Sequence, residues 1–137
     1  MKKILILSCA ILMLSFSAPA EDTVETCAGG AGTIFTGKVT GHKYCKSNKA
    51  MSWWDAHAWC DAIGKRLFSM DDCECSSVID CVKKCPELNN VLPAGRGWTM
   101  TPLGTDKAYY IALNSGGVSN YERTGYTFSG FNSAVCK

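Results

Sequence analysis

Eight cysteines follow what reads as an export leader, and they constrain the fold of this chain more than any other feature. The leader has Lys2 and Lys3 as a positive start, an apolar run from Ile4 to Phe16, and the small-residue site Ala18-Pro19-Ala20, which places cleavage before Glu21. The run is short for a bilayer span, so no stable membrane insertion is expected after cleavage. Ser8-Cys9 hints at a lipoprotein site, but only five residues separate Lys3 from Cys9, too few for a working apolar region. Cys9 therefore leaves with the leader. Cys27, Cys45, Cys60, Cys73, Cys75, Cys81, Cys85 and Cys136 remain, and an even set in a small exported chain implies a disulfide framework. The expected location is secreted, periplasmic or cell-surface.

Residues 21–137 suffice for one domain with a modest core. The chain carries 14 basic and 12 acidic residues, and losing Lys2 and Lys3 brings the two into balance. A neutral chain has no electrostatic footing for nucleic acid or an anionic membrane surface, and neither is an expected partner.

No internal repeat or low-complexity tract interrupts the chain. Residues 21–43 are rich in Gly and Thr, and Ile34, Val39 and Tyr44 alternate as in short strands, which predicts a lead-in hairpin from Cys27 to Cys45. Residues 44–137 form the expected main domain. Ser52 with Asp55 has the spacing of a capping box; Trp53, Ala56, Cys60 and Ile63 share one helical face, and Gly64 supplies a left-handed stop. Ser69 with Asp72 repeats the start signal and predicts a second helical segment through Lys84, ended by Pro86. Strands are expected at Trp98-Thr99-Met100-Thr101, over Ala108 to Leu113, and at Ala134-Val135-Cys136, with a turn at Ser115-Gly116-Gly117. Tyr126, Phe128 and Phe131 lead into the last of these. Helices followed by strands predict an α+β domain, two helices packed on a small antiparallel sheet.

Several of these residues together resemble the C-type lectin-like family. Ser52-Trp53, Ala56, Cys60, Gly64, Leu67 and Ser69 are similar to its first-helix signature. Trp98-Thr99-Met100-Thr101, Ala108-Tyr109-Tyr110, Gly117-Val118 and Ala134-Val135-Cys136 are similar to the closing half of its bacterial members. The resemblance implies a C-type lectin-like fold, a Cys60–Cys136 bond and an extra N-terminal bond between Cys27 and Cys45. A bridge over so long a loop contributes about 4 kcal/mol in the chain-entropy model. The family pattern does not account for Cys73, Cys75, Cys81 and Cys85, which admit three pairings. In one straight helix Cys73 and Cys85 would lie about 18 Å apart, so either the segment breaks near Ser76-Ser77 or these cysteines bond elsewhere.

Sugar-binding members of the family hold calcium with an acidic or amide pair flanking a proline and a Trp-Asn-Asp triplet, and neither motif is present. No metal ligand set and no cofactor are expected. The resemblance places ligands on the long-loop side, where Asp106, Lys107, Asn114, Tyr121, Arg123 and Tyr126 stand among glycines and small polar residues, as in an adaptable contact surface. The bland alternative is a solvated loop whose tyrosines cover the sheet. Trp53, Trp59 and Trp98 match core positions or their neighbours; Trp54 is the tryptophan expected to lie partly exposed, where it could stack on a sugar ring.

Catalysis finds little footing. His42 and His57 are the only histidines, and no nucleophile turn or oxyanion motif accompanies them. The stretch from Gly32 to Val39 nearly spells a phosphate-binding loop but lacks the hydroxyl after Lys38 that would hold magnesium. The chemical alternative is the Cys73/Cys75/Cys81/Cys85 cluster, as a thiol–disulfide exchanger or a zinc site. An oxidising compartment and the absence of paired C-x2-C knuckles favour bridges. The expected function is a non-catalytic module recognising an extracellular glycan or protein without calcium; a structural envelope component is the other alternative.

Overall fold

β-branched and aromatic runs punctuated by glycine turns outweigh the helix signals once the chain folds. The computed structural model describes residues 23–91, 95–123 and 132–137. The expected leader, Tyr126, Phe128 and Phe131 lie outside these residues. Strands β1 (Thr26–Cys27), β2 (Gly32–Thr36) and β3 (Lys43–Ala50) precede helix α1 (Trp53–Ala62). Helix α2 (Val78–Lys83) is followed by β4 (Arg96–Leu103), β5 (Lys107–Ala112), β6 (Val118–Glu122) and β7 (Asn132–Cys136). They form one seven-stranded sheet in the order β1-β2-β3-β7-β4-β5-β6. Val39, expected in a strand, lies exposed in the β2–β3 connection.

All pairings are antiparallel except β4 with β7, where Arg96 opposes Asn132 and Gly97 opposes Ser133 in parallel. The chain's end thus lies in the middle of the sheet, and all five residues of β7 are buried. Gly97 permits this joint, because a Cβ at that position would run into the Val135 side chain.

The expected fold class is corrected by this topology. The α+β arrangement that the C-type lectin-like resemblance implies, two helices on a small antiparallel sheet, does not form. The sheet is seven-stranded and mixed, the chain is mostly β, and the two α-helices among the described residues are short, with 10 and 6 residues. The cause lies between Ser69 and Lys84. Asp72 Oδ2 accepts from the Ser69 N–H at 2.9 Å, as a capping box requires, yet the box opens only a 3-10 turn over Met70–Cys73. Glu74 then enters the left-handed region at φ 51°, and Ser77 starts α2 afresh by accepting from the Asp80 N–H at 3.2 Å. Disulfides Cys73–Cys85 and Cys75–Cys81 tie this broken segment, with Cα separations of 4.7 and 5.3 Å that a straight helix could not give.

Neighbouring residues along the strands belong to different cores, so the sheet has two buried faces. On one, Tyr44, Phe68, Ile111 and Val135 pack with Cys73 and Cys85 of the disulfide-tied segment and with Leu88 just beyond it. On the other, Cys45, Trp98, Ala108, Ala134 and Cys136 pack with Trp53, Ala56 and Cys60 of α1. Two further disulfides, Cys27–Cys45 and Cys60–Cys136, lie on the α1 side. Four bonds of this kind form and persist in oxidising compartments. No helix among the described residues is long and apolar enough to cross a membrane.

Candidate functional site

Trp53, the first residue of α1, organises the site. Ser52 caps the helix, its Oγ accepting from the Asp55 N–H at 3.1 Å, and this directs Trp53 into the core while Trp54 points outward. The Trp53 indole N–H donates to the Thr99 carbonyl at 2.7 Å, and its backbone N–H donates to the Arg123 carbonyl at 3.1 Å. Trp98 makes the reciprocal tie, its indole N–H donating to the Met51 carbonyl at 2.8 Å. α1, β4 and the end of β6 are thereby fixed to one another.

Arg123 completes the constellation. Its guanidinium donates to the Lys107 carbonyl at 3.0 Å and the Gly104 carbonyl at 2.8 Å, and lies 4.8 Å from the Trp53 ring centroid and 5.9 Å from that of Trp54. Both ring distances are within cation–π range. Arg123 thus positions the β4–β5 turn and flanks Trp54. Tyr121, which opposes Ala108 across the β5–β6 pair, shares the α1 side of the sheet, 6.5 Å from Trp98 between ring centroids. Trp98 in turn meets Tyr110 edge to face, and the Arg96 guanidinium lies 5.4 Å from the Tyr110 ring. Two exposed rings result: Trp54, 55 % exposed beside the Arg123 guanidinium, and Tyr121, 40 % exposed against Trp98.

The sequence-predicted ligand residues divide between the two ends of the β5–β6 hairpin. Asp106, Lys107, Tyr121 and Arg123 gather at one end, where Lys107 opposes Glu122 and the Asp106 carbonyl accepts from the Arg123 N–H at 2.7 Å. Asn120, Tyr121, Glu122 and Lys107 line a shallow cavity of about 260 Å³ there. Asn114 sits in the turn at the other end, about 20 Å away along a six-residue strand, and its carbonyl accepts from the Asn90 N–H. Tyr126 lies outside the described residues. Sequence reasoning had not joined Trp53 and Tyr110 to this set, because nothing local to either residue signals a contact with an arginine from another element.

The histidines stand apart from each other. His57 packs edge-on against Trp53 at 4.2 Å, and its buried Nε2 has no hydrogen-bond partner among the described residues. Burial lowers its pKa; Asp61 opposes this and Arg123 adds to it, so the ring is neutral at neutral pH. His42 lies exposed on the opposite side of the sheet's hairpin, edge-on to Tyr44. All four cysteines of the Cys73/Cys75/Cys81/Cys85 cluster are bonded in pairs, so a thiolate for exchange or zinc arises only after reduction. Among the described residues no three His, Cys, Asp or Glu side chains converge as a metal site.

No protein-family model matches the chain, and comparison with curated proteins and with solved structures finds no match.

Proposed function

We propose that the chain is an exported, non-catalytic recognition module that binds an extracellular glycan, without calcium, through the surface formed by Trp54, Tyr121 and Arg123. The carrying observation is the exposure of Trp54 and Tyr121 on the α1 side of the sheet, each ring resting against a buried tryptophan, Trp53 and Trp98 respectively. Rings held this way present a flat apolar face at little entropic cost, which suits the C–H face of a pyranose. Arg123 and Lys107 add donors for ring hydroxyls. The leader-like pattern of residues 1–20 and the four disulfides support export.

The test is binding of residues 21–137, with disulfides intact, to a glycan array in the presence of a calcium chelator. Saturable binding that Trp54→Ala and Tyr121→Ala each weaken about tenfold, with unchanged thermal stability, is the expected result. Binding restored only by calcium, or untouched by both substitutions, would refute this reading. Capture of a protein through Trp54 and Tyr121 with no glycan bound would replace the glycan by a protein ligand.

A further inference from the structure

We infer that the groove between the disulfide-tied segment and the β4–β5 hairpin is a second binding site, and that it takes a peptide segment presenting an apolar side chain beside a lysine or arginine. It is independent of the aromatic surface and lies across the sheet from it. Tyr109, which lines the groove, follows Ala108 by one residue on β5 and so points to the sheet face opposite that of Ala108 and its partner Tyr121; Met70, Cys75 and Cys81 in its walls pack on the core opposite α1.

The groove has a volume of about 530 Å³, within the range of roughly 300–1,000 Å³ typical of ligand sites. Its surface is built from Met70, the Cys75–Cys81 disulfide, Val82 and Tyr109, with Asp71 and Glu74 among the lining residues. No lysine or arginine is among the described residues that line it. Asp72, next in sequence, is engaged by Arg66 and Lys137, whereas Asp71 and Glu74 take part in none of the ion pairs among the described residues. An occupant's cation would therefore meet two carboxylates that make no ion pair among the described residues, although Arg66 feels the charge of Asp71, over an apolar floor.

The walls are held in advance. Both disulfides of the segment fix its shape, and the Met70 N–H donates to Thr101 Oγ1 at 3.1 Å, joining the segment to β4. Rigid walls lower the ordering cost of binding. The groove is open rather than enclosed, which favours side chains projecting from a chain that continues beyond it over a small ligand needing burial on all sides. Val82 is half exposed although it lines the groove, as expected of a side chain whose partner is supplied from outside.

The experiment is titration of 15N-labelled residues 21–137 with acetyl-Leu-Lys-Leu-Lys-amide and, separately, acetyl-Leu-Glu-Leu-Glu-amide, followed by amide chemical shifts. The lysine peptide should shift Asp71, Glu74, Cys75, Val82 and Tyr109, its affinity falling several-fold when salt is raised to about 0.3 M, while the glutamate peptide leaves them unmoved. Asp71→Asn with Glu74→Gln should weaken the lysine peptide about tenfold with the spectrum otherwise preserved. Val82→Ser, a neutral change at a half-exposed helix position, provides a second variant and should weaken the leucine contacts without altering the groove's charge. Equal shifts from both peptides, shifts centred on Trp54 and Tyr121, or no shift at millimolar peptide would each overturn the inference. Failure of glycan binding at the aromatic surface leaves it untouched.

Discussion

Cys45 and Cys136 face each other as register partners on β3 and β7, yet each is bonded to a different residue, Cys45 to Cys27 and Cys136 to Cys60. Four cysteines therefore converge on the α1 side of the sheet, and the two bonds tie β1, β3, α1 and the chain's last strand around one core.

This proximity predicts a specific rearrangement. In Cys60→Ala the freed Cys136 thiolate lies across from the Cys27–Cys45 bond; attack on Cys45 Sγ would form Cys45–Cys136 and release the Cys27 thiolate. Non-reducing peptide mapping should recover that bond with Cys27 alkylated. Replacing both Cys60 and Cys136 by alanine removes the exchange and should lower stability by about 4 kcal/mol in the chain-entropy model, read from the denaturation midpoint.

Glu87 is a fully buried carboxylate that makes no ion pair among the described residues. It accepts from the Val39 and Thr40 N–H groups at 2.8 and 2.9 Å, from the Thr40 hydroxyl, and from the Tyr44 hydroxyl at 2.9 Å. Burial opposes its ionisation, but these bonds outweigh burial and hold its pKa below the usual value; burial and the same carboxylate push the Tyr44 phenol well above its ordinary range. Glu87→Ala would leave buried donors unpaired and should cost about 3 kcal/mol or more by chemical denaturation. Glu87→Gln keeps the shape and should cost less.

Acid should destabilise the protein through Asp72 as well. Burial opposes its ionisation, but hydrogen bonds from Arg66, Lys137 and the Ser69 N–H bring its pKa from 3.8 to about 2. A depressed carboxylate pKa contributes stability that is complete above the unfolded value and lost as pH falls through the folded one. The loss should therefore develop between pH 3.8 and about 2 and amount to at most about 2 kcal/mol, since Arg66 is half exposed. Asp72→Asn should flatten that part of the stability–pH curve, leaving the slope due to Glu87.

The parallel joint between β4 and β7 depends on Gly97. Gly97→Ala should destabilise by about 1–3 kcal/mol through overpacking against Val135. Adding Val135→Ala should recover part of that loss, a non-additivity that a double-mutant cycle would measure. Simple additivity would show that the two side chains do not compete.

Local signals in the chain were legible where the group that satisfies them is a few residues away. Ser52 and Ser69 each engage the first turn they begin, and Gly64 at φ 69° and Gly116 at φ 67° stand where left-handed backbone is required. The aromatic and β-branched run at residues 108–113 and the closing Ala134-Val135-Cys136 form strands for the same reason, since alternating side chains select extended backbone within the segment. The capping box at Ser69 misled because a cap specifies where a helix starts and says nothing about how far it runs. Its length was set by Cys85 and Cys81 pulling back on Cys73 and Cys75.

The amino-acid order was sufficient for the start of α1 at Ser52, the glycine turns and the presence of a disulfide-bridged framework, because these depend on neighbours along the chain. Sheet order, the mixed pairing of β7, the burial of Glu87 beneath the Val39–Thr40 backbone, and the meeting of Arg123 with Trp53 and Trp54 came from three-dimensional packing. Each joins residues from separate elements, and such contacts are selected by the burial of two sheet faces at once, an energy that no single segment carries.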